Sequence, residues 1–106
     1  MPKFMIQGTY SHEGLKGVLK DGGSGRVDAV RKTAESLGGH LDSFYFAFGD
    51  DDTYVICDLP DNKAAAALAL TVGASGGATT KTTVLLTPEE IDRATKMKVE
   101  YHAAAG

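Results

Sequence analysis

The chain has 106 residues, a net charge of −3 at neutral pH and 24% charged side chains, which bounds it to one domain with one core. Its lysines and arginines are scattered, with only Arg31 and Lys32 adjacent, so no basic stripe argues for nucleic acid, and no apolar run nears the ~20 residues a membrane helix needs. MPKFMIQG at the N-terminus lacks the charged, apolar, small-residue order of a signal sequence, and a single cysteine, Cys57, excludes an internal disulfide framework; both point to a cytoplasmic protein.

Residues 3–10, KFMIQGTY, alternate Phe4, Ile6, Gly8 and Tyr10 with Met5, Gln7 and Thr9, the period of a strand. Gly8 inside it predicts close approach of another backbone, a bulge, or the floor of a cavity. Ser11 is an N-cap for a short, soft helix carrying Leu15, Val18 and Leu19, in which Gly14 and Gly17 each cost roughly 1 kcal/mol relative to Ala. Gly22-Gly23-Ser24-Gly25 reads as a linker that breaks it, with Ser24 capping the next helix; the stretch lacks the GxxxxGK[ST] pattern of a phosphate loop. From Arg26 the pattern firms, with Val27, Val30, Ala34 and Leu37 on one helical face. Gly38-Gly39 ends that helix.

The clearest stretch is Ser43 to Pro60, SFYFAFGDDDTYVICDLP. Phe44, Phe46 and Phe48 alternate with Tyr45 and Ala47, five residues follow, and Tyr54-Val55-Ile56-Cys57 returns, so the stretch predicts a hairpin at the centre of the sheet. Asp50, Asp51 and Asp52 read as a solvated, self-repelling turn. They lack the Asp-x-Asp-x-Asp-Gly spacing of a calcium loop, and no metal is expected there. Cys57, mid-strand among apolar neighbours, reads as a packed, inert thiol. Pro60 stops the strand, and Asp61 or Asn62 caps a second helix with four alanines, Ala64 to Ala67, before Leu68, Leu70 and Val72. Residues 78–86 form a fourth strand with Thr80, Thr82, Val84 and Leu86 on one face. Thr87-Pro88-Glu89-Glu90 is a capping box opening a last helix.

This order, βα(α)ββαβ plus a terminal helix, is the ferredoxin-like plan of an α+β fold: a four-stranded antiparallel sheet with helices on one face. Residues 1–97 form the domain and 98–106 a frayed tail. The other sheet face carries apolar and Thr residues, which predicts a sheet-to-sheet homodimer, since a large apolar face is rarely left in water.

Candidate chemistry is sparse. His12 and Lys16 share a helical face and could frame an anionic group at a cavity mouth, or simply be a solvated helix start. Tyr10, Tyr45 and Tyr54 are polar handles in an apolar wall, suited to a ligand pocket or to packing at an interface. Asp58 could orient a hydroxyl or a substrate proton, or cap a turn. Arg26 could bind a carboxylate or phosphate, or be a solvated helix start. His40 reads as surface or structural and His102 as without a role, and no histidine pair has metal-ligand spacing.

At AFGDDDTYVICDLPD together with KTTVLLTPEE, and at the Gly-Leu-Lys-Gly segment 14–17 within YSHEGLKGVLKDGG, the chain resembles GYD-domain proteins, small bacterial proteins similar to the dimeric α/β-barrel superfamily. The resemblance implies the fold and the facing-sheet dimer, and it brings no activity, cofactor or catalytic residues. The wider superfamily includes cofactor-poor monooxygenases, haem-degrading enzymes and muconolactone isomerases, among which fold cannot choose. Three readings follow: a small-molecule-binding or interaction domain taking a small hydrophobic or anionic ligand; a small cofactor-independent oxygenase or isomerase on a hydrophobic cyclic substrate, with His12, Tyr10, Tyr54 and Asp58 as its groups; or a structural or regulatory subunit without a pocket. No nucleophile–base–orienter set can be spelled out, so whether the protein is an enzyme stays open.

Overall fold

The computed structural model describes residues 1–105; Gly106, the end of the expected tail, lies outside them. Seven elements follow in chain order: β1 (Lys3–Tyr10), α1 (His12–Ser36), β2 (His40–Phe46), β3 (Thr53–Asp58), α2 (Asn62–Ser75), β4 (Ala78–Leu85) and α3 (Pro88–Ala94). The strands form one antiparallel sheet in the order β2-β3-β1-β4, the ferredoxin-like arrangement expected from the element order.

The alternation of β1 decides its two faces. Phe4, Ile6 and Gly8 are buried on one side, while Met5, Gln7 and Thr9 are half-buried on the other. In β3, Thr53, Val55 and Cys57 are buried, and Tyr54, Ile56 and Asp58 half-buried. The register pairs Phe4 with Cys57 and Ile6 with Val55, so the inner faces of the two central strands coincide. α1 and α2 cover this inner face: Phe4, Ile6, Val55, Cys57 and Leu59 pack with Ala65 and Leu68 of α2, joined by Val30 and Leu37.

Three expectations change. The 43–60 hairpin is present, but β2 is an edge strand, and the centre of the sheet is the β1–β3 pair. A register shift between Leu41 and Ser43 lets both Leu41 and Phe44 pack toward the core and leaves Asp42 exposed, 2.8 Å from the Lys3 ammonium. Such one-residue bulges are a common way to re-aim an edge strand. The Gly22–Gly25 linker also collapses to a single residue. Gly22 has φ 76° and ψ 170°, an essentially glycine-only conformation, and helix resumes at once, so α1 is two helical stretches joined across a kink at Gly22, the expected break narrowed to one residue. Ser24 therefore lies inside a helix rather than capping one. Leu15 and Leu19, read from their spacing as an apolar face, are both exposed, Leu19 at 86%.

The caps follow the sequence closely. The Ser11 hydroxyl accepts from the Gly14 N–H at 3.1 Å and donates to the Gly77 carbonyl at 3.1 Å, tying the start of α1 to the α2–β4 turn. Asp61 accepts from Ala64 at 2.9 Å. Thr87 and Glu90 exchange hydrogen bonds at 3.0 and 3.1 Å, the capping box of α3. α3 itself buries nothing. Leu86, Ile91, Met97, Val99 and Tyr101 stand exposed along it and the segment beyond, and no helix of the described residues is long and apolar enough to cross a membrane.

Candidate functional site

Between the sheet and the two covering helices lies a cavity of about 100 Å³. Ile6, Gly8, Val55 and Cys57 of the central strands form its floor, with Thr80 of β4 beside them. Val30 and Ala34 of α1 and Leu68 and Val72 of α2 form its roof. Gly8 is here because space demands it: a Cβ would sit 2.6 Å from the Thr53 hydroxyl. Of the three roles expected for Gly8, the structure gives it the cavity floor. An engineered apolar cavity of about 150 Å³ takes a benzene molecule, so this one holds a smaller apolar body or part of a larger one.

Only a few polar groups reach the lining: the Tyr10 and Arg26 side chains and the hydroxyls of Thr53 and Thr80. Tyr10 is held in place by its own backbone, whose N–H donates to the Asp52 carboxylate at 2.8 Å. Arg26 is the one charged residue of the lining. Its side chain is 32% exposed, and its Nη1 lies 3.5 Å from Asp21 Oδ2, across the Gly22 kink. Cys57 is 1% exposed, and burial first, then the neighbouring Asp58 charge, pushes its thiol up from the usual range. A thiol so placed is a wall rather than a nucleophile.

The remaining candidates divide between places. His12 and Lys16 are exposed on the first turns of α1, where Lys16 lies 3.3 Å from Glu13. Tyr45 and Tyr54 are cross-strand partners on the outer sheet face, Tyr45 at 72% exposure. Asp58 is on that face too, 3.1 Å from the Lys3 ammonium and 3.0 Å from His40 Nε2. The Lys3 ammonium is held above its ordinary pKa by its hydrogen bond to Asp42 and then by Asp58. Of the residues singled out from the sequence for binding or chemistry, Tyr10 and Arg26 line the cavity, while His12, Lys16, Tyr45, Tyr54 and Asp58 do not.

The acidic turn holds a correction. Asp51 is 3% exposed rather than solvated. Its Oδ2 accepts from Gln7 Nε2 at 2.9 Å and lies 3.1 Å from Lys81 Nζ, and its Oδ1 accepts from Thr9 at 3.0 Å. The Lys81 ammonium foremost, and then Thr9 and Gln7, hold its carboxyl below the usual range against the cost of burial. This network was missed because it joins two strands, β1 and β4, to the β2–β3 turn. Alternation puts Gln7 and Thr9 on one face, but only the β1–β4 register, Gln7 opposite Lys81, brings the lysine to them. Among the described residues, no group of three or more His, Cys, Asp or Glu side chains is placed to hold a metal ion.

Residues 4–95 match the family model of the GYD domain. The chain belongs to the GYD-domain family. The match runs from β1 through α3, so the cavity, the outer sheet face and the Asp51 network all lie within the GYD domain, and the segment from Lys96 onward follows it. No curated protein and no solved structure matches this GYD protein.

Proposed function

We propose that this GYD protein is a homodimeric small-molecule-binding domain of the dimeric α/β-barrel type, its ligand seated between sheet and helices. The observation that carries the reading is the cavity itself: an apolar space whose few polar groups gather at Tyr10, Arg26, Thr53 and Thr80, the composition of a ligand pocket. The outer face supports the dimer. Met5, Tyr45, Tyr54, Ile56 and Leu85 lie uncovered or half-covered there, and a second sheet laid on them would bury a patch that water rarely keeps. Binding is favoured over turnover because the lining offers no carboxylate or histidine as a base, and its one thiol is pushed away from ionisation.

Titrating isotope-labelled protein with benzene and with hexanamide tests the pocket. Amide shifts confined to Ile6, Gly8, Val55 and Thr80, lost in an Ala34→Leu variant that keeps a folded spectrum, are the expected result. No shift with either compound up to its solubility withdraws the reading.

A further inference from the structure

We propose that the ligand is a short apolar monocarboxylate, its chain inside the cavity and its carboxylate on the Arg26 guanidinium, which it takes over from Asp21. This rests on the cavity being a binding pocket and adds the chemical class of what it binds.

The sign of the ligand follows from the lining. Arg26 is its only charged residue, with Tyr10, threonines, glycine and apolar side chains making up the rest. The Arg26 side chain is 32% exposed and so keeps part of its water, and arginine presents a planar fork that fits a carboxylate with two parallel hydrogen bonds. A cationic head group would be repelled at the same place.

Asp21 does not fill that fork. Its contact is a single one at 3.5 Å, with the two side chains 32% and 42% exposed, the kind of surface pair that contributes little. Their spacing of five residues is outside the i,i+3 and i,i+4 pairs that a regular helix brings together. The two meet only because Gly22, at φ 76°, turns α1 between them. Asp21 thus holds Arg26 loosely beside an apolar space, and a carboxylate carrying its own apolar chain offers the guanidinium a better partner.

Size sets the chain. At about 100 Å³, against the roughly 150 Å³ that accepts benzene, the cavity suits an aliphatic tail of a few carbons. Tyr10 and Arg26 are half-exposed, as are Val30, Phe44, Val72, Ala78 and Thr80, so it is the charge of Arg26 that places the head.

The test compares hexanoate with hexanamide and hexylamine, equal in length and different in charge, by calorimetry and amide shifts at neutral pH. Hexanoate is expected to bind at least about tenfold tighter than hexanamide, the scale of a charge-assisted bidentate contact, with hexylamine weakest. Arg26→Gln should remove the preference and leave hexanamide unchanged, Arg26→Lys should restore part of it, and Asp21→Asn should tighten hexanoate severalfold. Hexanamide binding as well as hexanoate, or Arg26→Gln weakening both alike, overturns the carboxylate assignment and leaves the pocket standing. Binding of none of the three removes pocket and assignment together.

Discussion

Asp51 shows how much one side chain can organise. Three groups converge on it, Gln7 and Thr9 from β1 and Lys81 from β4, while its neighbour Asp52 takes the Tyr10 N–H. Because the folded protein holds the Asp51 carboxyl below its ordinary 3.8, the unfolded chain binds more protons near that pH. Stability from this group is therefore complete above the ordinary carboxylate pKa and is lost as pH falls through the depressed value. Chemical denaturation at a series of pH values between about 2 and 7 should show this acid loss. Asp51→Asn should give a curve less stable at neutral pH and flatter below about pH 4; parallel curves would mean that Asp51 carries no linkage. The three consecutive aspartates were legible as a turn. Which of them faces inward was not, because the choice is made by partners about forty residues earlier in the chain and thirty later.

At the scale of elements, local chemistry was read well where it is self-contained. Ser11, Asp61 and Thr87 cap the helices that their positions predict, since a cap needs only three or four residues to declare itself. The inner face of β1 was equally plain, as period two and burial agree there. Glycine composition located the break in α1 but drew it too long, since only Gly22 departs from helical geometry and helix resumes at Gly23. Two glycines of α1 should thus respond oppositely to the same change. Gly17 is helical with open space at its Cβ position, so Gly17→Ala should stabilise by about 0.5–1 kcal/mol. Gly22→Ala forces a side chain into a conformation that costs about 1–3 kcal/mol and should destabilise by that order. Urea midpoints of the two variants decide it. The cavity's walls could be listed from alternation and helical spacing, but Arg26 joining them could not, because that depends on how α1 lies across the sheet.

The whole molecule is long for its size. Its extents are 55 × 32 × 22 Å and its radius of gyration is 16.8 Å, against roughly 13 Å for a compact domain of about 100 residues. α3 and the segment after it bury nothing, as expected of parts that extend away from the core. An aspartate at Ile56, in the middle of the outer face, would enter a two-fold interface twice, and two uncompensated charges there cost several kcal/mol. Ile56→Asp should sediment as a folded monomer at micromolar concentration while the parent sediments as a dimer. A parent monomer, or a variant that still dimerises, would place the interface elsewhere.

In the proposed dimer, the uncovered α3 would tie assembly to local order. Seven residues fall well short of the roughly 12–15 at which an isolated helix becomes even marginal in water, and its capping box is worth only about 1 kcal/mol. Apart from that box, whatever surface covers Leu86, Ile91 and Met97 must supply the rest. Folding of this segment and association of the chain would then be a single linked equilibrium. Diluting the protein would melt the segment first and leave the sheet with its two covering helices intact.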